Sequence, residues 1–136
     1  MTSYPVGKNL PENYQNILEM AEALKKKNYS DVVLICSGSS GAIISAIIAI
    51  QFNPILPIIY IKKAYERNHG HFYHSMRITN KTLIIVDDFV ATGDTIRHIR
   101  KKLRLEGITE VQGICMSSSF ELYDLHKQGF FKDYIY

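Results

Sequence analysis

Two short runs constrain this chain more than anything else in it: DVVLIC over Asp31–Cys36 and TLIIVDD over Thr82–Asp88. Apolar residues, many β-branched, fill consecutive positions, so neither face of such a strand can stay in water. A strand buried on both faces belongs inside a sheet that helices cover on both sides. The neighbouring segments supply those helices. Glu12–Lys27 places Ile17, Met20, Ala21 and Leu24 at helical spacing, and Thr95–Leu105 does the same with Ile96, Ile99 and Leu103. Further strands are expected over Ile55–Lys62 and, after a stop at Gly107, over Glu110–Met116. Strands alternating with helices imply an α/β fold, a parallel sheet flanked by helices with right-handed crossovers. Ligands then bind at the carboxyl ends of the strands.

With 136 residues the chain suits one domain, residues 1–136, and is too short for two. The segment Gly41–Phe52 reads as a helix with Ile43, Ile44, Ala46, Ile47, Ile48 and Ile50 all round it. Such a helix is buried on several sides, within the monomer or at a subunit interface; a homodimer is the expectation. Its most apolar part, Ala42–Ile50, is about half of what a bilayer span needs, so no membrane association is expected. No secretory pattern opens the sequence. Cys36 and Cys115 lie in strand-like runs and read as buried, reduced thiols in a cytoplasmic protein. The formal charge of +3 favours anionic ligands without demanding nucleic acid.

Chemistry concentrates in TLIIVDDFVATGDTI, Thr82–Ile96. An apolar strand ends in two adjacent carboxylates, Asp87 and Asp88, which suit vicinal sugar hydroxyls. The loop Ala91, Thr92, Gly93, Asp94, Thr95 then enters a helix. Gly93 allows close backbone approach or positive φ, while the threonine hydroxyls and the free amides of the helix start make a phosphate cradle. Together these describe a ribose 5-phosphate site.

VDDFVATGDT, Val86–Thr95, resembles the phosphoribosyl pyrophosphate motif of the type I phosphoribosyltransferases. The resemblance implies that Asp87 and Asp88 hold the ribose hydroxyls and that Ala91, Thr92, Gly93, Asp94 and Thr95 bind the 5-phosphate. Asp94 departs from the pattern, since many members carry a small residue there. The turn after the first strand, Ser37, Gly38, Ser39 and Ser40 up to Gly41, would contact the pyrophosphate, as would Lys62 and Lys63 after the second. The stretch KKAYERNHG, Lys62–Gly70, is similar to the orotate phosphoribosyltransferase loop, which implies catalytic roles for Arg67 and His69 and closure of Lys63–Arg77 over the reacting centre. Phe89 and Phe120 could stack on a base or simply pack.

By this resemblance the chain would transfer ribose 5-phosphate from phosphoribosyl pyrophosphate to a purine or pyrimidine nitrogen and release pyrophosphate. Mg²⁺ would be the cofactor, anchored directly or through water by Asp87 or Asp88. The terminal segments leave room only for a reduced base-binding hood, so the base is not fixed. The alternative is a non-catalytic regulator that binds phosphoribosyl pyrophosphate or a nucleotide, with RNA binding through Arg97, Arg100, Lys101 and Arg104; a solvated helix face is the simpler reading of those four. A receiver domain would put its aspartates on the first strand. A P-loop needs a Lys-Ser/Thr pair that is missing, and His69, His71 and His74 read as loop residues, not metal ligands.

Overall fold

The computed structural model describes residues 10–62, 78, 80–89, 93–117 and 120–136, with 88, 89, 116, 117, 120 and 121 described by their backbone alone. The elements run α1 (Leu10–Lys27), β1 (Val32–Cys36), α2 (Ser39–Ile50), β2 (Ile58–Tyr60), β3 (Thr82–Phe89), α3 (Asp94–Leu105), β4 (Gly113–Ser117), α4 (Phe120–Lys127) and β5 (Asp133–Tyr134). The strands form one sheet in the order β2-β1-β3-β4-β5, every neighbouring pair parallel.

Alternation along the central strands divides the core in two. Val33, Ile35, Leu83 and Ile85 face one side, against Ile96, Ile99 and Leu103 of α3 and Leu122 and Leu125 of α4. Val32, Leu34, Ile84 and Val86 face the other, against Ile17, Met20 and Leu24 of α1 and Ile44 and Ile48 of α2. Burying each large aliphatic side chain contributes about 1.5–3 kcal/mol, so the central strands are anchored from both faces. Cys36 and Cys115 are buried free thiols, and burial pushes Cys115 up to about 12. Among the described residues no helix is long and apolar enough to cross a membrane.

The second strand is shorter than the expected Ile55–Lys62. Pro57 has no N–H to give to a ladder, although its carbonyl still accepts from Leu34 N at 3.0 Å. The fourth begins at Gly113 instead of Glu110. Of the C-terminal residues described, α4 seals one face and β5 extends the sheet beside β4. The apolar helix α2 divides its burial. Ile44, Ile48 and Ala49 are in the core, while Ile50 is 61% exposed.

Arg100 corrects the sequence reading. Its placement on a solvated basic face is wrong, because the residue is only 3% exposed. Its Nη2 donates to Thr109 O at 2.7 Å, and Nε and Nη1 have no hydrogen-bond partner among the described residues. Burial, and secondarily Arg104, lowers the guanidinium below its ordinary value. A side chain this enclosed cannot track a phosphate backbone, so the face offers nucleic acid Arg97, Lys101 and Arg104 only.

Candidate active site

The strand order contains a reversal. The chain leaves β1 through α2 to reach β2 on one side, then crosses back past β1 to β3 and continues to β4 and β5. The carboxyl ends of β1 and β3 are therefore neighbours whose following turns diverge. In an open parallel sheet such a switch point leaves the crevice where ligands bind. The turn singled out at Ser37–Gly41 starts there, and the carboxylate pair Asp87 and Asp88 lies there as well.

The β1 turn is built for close approach. Gly38 caps α2 with φ 92° and ψ 162°, and Ala42 N donates to Gly38 O at 3.1 Å. The backbone amides that open a helix give α2 a positive end at the crevice. Ser37 is 2% exposed, and its Oγ has no hydrogen-bond partner among the described residues. A buried hydroxyl in that state is costly unless a ligand or water engages it. Gly41 is required by packing: a Cβ there would stand 3.1 Å from Val86 O and 3.2 Å from Cys36 Cβ. A side chain there would require α2 or the two strands to give by a few tenths of an ångström. Sequence reading placed Gly41 in the turn without assigning it this role.

β3 carries a feature that no sequence pattern disclosed. Its pairing with β4 runs Ile84–Gly113, Ile85–Ile114 and Val86–Cys115, then shifts to Phe89–Ser117. Two residues, Asp87 and Asp88, thus oppose one, which is a β-bulge. Bulges bend the strand and re-aim side chains, often beside active sites. Strict alternation would send Asp87 to the α3 face with Leu83 and Ile85. At the bulge its Oδ1 lies instead 3.8 Å from where a Gly41 Cβ would stand. Asp87 is 7% exposed. Its charge also reaches Cys36: burial first, and then Asp87, push that thiol up. The carboxylate and the β1 turn therefore share one crevice.

The 5-phosphate half is described from Gly93 onward. Gly93 is the left-handed cap of α3, with φ 82°, and Arg97 N donates to Gly93 O at 3.0 Å. The Asp94 carboxylate, unusual in the motif, has an 85% exposed side chain that pairs with Arg97 Nη1 at 3.6 Å. A cation thus offsets its charge. Thr95, half-buried, follows in the first turn.

Lys62 stands just beyond β2, and its carbonyl accepts a 2.6 Å hydrogen bond from His98 Nε2. Tyr60, at the end of β2, accepts Gly38 N–H on its hydroxyl at 3.3 Å. Neither Tyr60 nor His98 was anticipated, since both act through long-range contacts. Lys63, Arg67, His69, Ala91 and Thr92 lie outside the described residues, as do the side chains of Asp88, Phe89 and Phe120.

A Mg²⁺ ion suits this donor set. Such ions are commonly held by one or two carboxylates plus substrate phosphates and water, and need no preformed cage. Among the described residues no three metal-ligating side chains cluster. Asp87, with Asp88 beside it in the bulge, would supply the protein's share.

Fold and crevice define a class: a parallel α/β protein whose switch point brings a buried carboxylate together with the starts of two helices. The phosphoribosyl transferase domain model matches residues 8–124, and the chain belongs to that family of type I phosphoribosyltransferase fold. A curated relative, the adenine phosphoribosyltransferase of Fervidobacterium nodosum, is 28% identical over an alignment of 145 positions, covering 95% of this chain and 81% of the relative. Among solved structures, the adenine phosphoribosyl transferase of Trypanosoma brucei in complex with AMP, pyrophosphate and ribose-5-phosphate is similar at a TM-score of 0.60 and 21% identity, over 85% of this chain. The hypoxanthine-guanine phosphoribosyltransferase of Bacillus anthracis is similar at 0.58 and 16%, over 75% of this chain. The chain spans only 58% and 62% of the length of these two structures.

Proposed function

We propose that the protein is a purine phosphoribosyltransferase, transferring ribose 5-phosphate from phosphoribosyl pyrophosphate to a ring nitrogen of adenine or a 6-oxopurine. The bond from C1 of the ribose to the pyrophosphate oxygen breaks, and a bond from C1 to the base nitrogen forms. The observation that carries this reading is the meeting of Asp87 with the first turn of α2 at the switch point, beside the Gly93-capped start of α3. The names of the relatives favour a purine acceptor over the pyrimidine that the orotate-like stretch Lys62–Gly70 suggested. Nothing in them favours the regulatory alternative.

In this reading Asp87 and Asp88 hold the ribose hydroxyls and fix the sugar for in-line displacement. Residues 91–95 and the amide end of α3 hold the 5-phosphate. The free Ser37 Oγ and the amides opening α2 take up charge that develops on the leaving pyrophosphate, where such preorganised donors act most strongly. A bound Mg²⁺ would neutralise part of that charge through phosphate oxygens. Lys62, Lys63, Arg67 and His69 remain candidates for the pyrophosphate side, and Phe89 and Phe120 for the base. A cytoplasmic homodimer completes the proposal.

Calorimetry with phosphoribosyl pyrophosphate, with and without Mg²⁺, tests it. The wild type should bind, and Asp87→Asn combined with Asp88→Asn should weaken binding and cut turnover with adenine, hypoxanthine or guanine on the order of 100-fold while the protein stays folded. Unchanged kinetics in the double variant would remove the site assignment. Binding without product from any purine would leave a regulator instead of an enzyme.

A further inference from the structure

Tyr60, which closes β2, and Lys62, two residues on, are tied by side-chain hydrogen bonds to the Gly38 turn and to the body of α3. The Tyr60 hydroxyl accepts the Gly38 N–H at 3.3 Å. As the cap of α2, Gly38 has an amide outside the helical ladder, so a side-chain acceptor is what satisfies it. Two residues on, Lys62 O accepts from His98 Nε2 at 2.6 Å. A carbonyl has no proton to give, so Nε2 carries the hydrogen. Between them, Ile61 donates its backbone N–H to Cys36 O at 2.8 Å and is 1% exposed in the core. This middle residue is fixed, so the segment does not slide toward either partner.

The substrate class gives those ties a purpose. Phosphoribosyl pyrophosphate carries its 5-phosphate and its pyrophosphate on one ribose ring, so the two cradles must stand at one separation. The roots of both turns are set by β1 and β3. The cap of the pyrophosphate turn and the body of α3 lie beyond the ladder, and β2 reaches both. We infer that Tyr60 and His98 are positioning residues for the transfer reaction, making the end of β2 a bridge that holds the Gly38 turn and α3 in register. This inference rests on the transferase reading above.

Tyr60→Phe, His98→Ala and His98→Gln test it in the full chain, with adenine and phosphoribosyl pyrophosphate as substrates. Tyr60→Phe should raise the Kd of inorganic pyrophosphate and the KM for phosphoribosyl pyrophosphate about fivefold, leave kcat within about twofold, and speed hydrogen exchange at the Gly38 amide. His98→Ala should lower kcat about tenfold through misplacement of the reacting groups, and His98→Gln, which retains an N–H donor, should restore most of it. Unchanged constants in an active protein would overturn the bridge. So would losses in His98→Ala that the Gln variant fails to rescue, or that follow only the fraction of folded protein. A wild type that neither binds nor turns over phosphoribosyl pyrophosphate would overturn the transferase reading and the inference with it, while exchange at Gly38 would still report whether the Tyr60 bond forms.

Discussion

At the scale of single residues, two glycines with nearly the same backbone separate local strain from function. Gly93 and Gly107 have φ of 82° and 81°. A Cβ on Gly107 meets nothing within 4 Å, whereas one on Gly93 would stand 2.8 Å from Leu125 Cδ1 and 3.0 Å from Arg97 Nη1. Left-handed backbone costs an alanine about 1–2 kcal/mol at either position. Gly107→Ala should therefore lower thermal stability and leave phosphoribosyl pyrophosphate binding unchanged. Gly93→Ala should lower stability further, because Leu125 must move, and should raise the Kd about tenfold or more as the cap of α3 shifts. Melting curves and calorimetry on the pair decide it, and equal Kd values would detach Gly93 from the ligand site. Asp94 illustrates the same scale from the other side. A carboxylate in a phosphate motif looks unfavourable in sequence, but here the side chain is exposed and in contact with Arg97, which offsets its charge.

At the scale of elements, α1 shows periodicity translating directly into packing, with Ile17, Met20, Ala21 and Leu24 all buried. Its far end is held differently. Lys27 Nζ lies 2.7 Å from Asp133 Oδ2, and the Tyr29 hydroxyl donates to the same oxygen at 2.8 Å, joining the end of α1 to β5. Burial alone would raise the Asp133 carboxyl, but the hydrogen bonds from Lys27 and Tyr29 outweigh it and hold the group below its ordinary 3.8. Bonding to Asp133 correspondingly raises Lys27 above 10.5. A depressed carboxyl contributes stability that is present above 3.8 and lost as pH falls through its folded value. A raised ammonium contributes stability that is present below 10.5 and lost as pH rises through its own. Asp133→Asn should thus lower the urea midpoint modestly at neutral pH, given side chains 36% exposed, and converge on the wild type well below pH 3.8. A constant difference across the acid range would show that the loss is not electrostatic.

At the scale of the whole molecule, one strip among the described residues is apolar and exposed. Ile50 at the end of α2, Ile55 after it, and Ile58 and Tyr60 on the edge strand β2 are 61%, 65%, 37% and 36% exposed. An open apolar edge is a liability that a partner relieves. The expected homodimer would cover it. Ile50→Glu combined with Ile58→Glu should then convert a dimer to a monomer in sedimentation, with little loss of fold since both side chains are already solvent-facing. A wild type that sediments as a monomer would remove this face from consideration.

The sequence by itself determined whatever depends on neighbours in the chain. Unbroken apolar runs required central parallel strands, helical spacing required α1 and α3, and Val86–Thr95 placed a carboxylate pair ahead of a glycine-led helix start. These are consequences of local pattern, and the structure keeps them with shifts of a few residues at the ends. Only the tertiary structure decided what depends on residues far apart. The order β2-β1-β3 makes the two turns neighbours, and the bulge at Asp87–Asp88 arises from register with β4. Arg100 is buried by a contact with Thr109 that its place among basic residues concealed. Tyr60 and His98 reach the site across 22 and 36 residues of chain. Each is a matter of which side chain can reach which backbone atom, and only packing of the whole chain sets that.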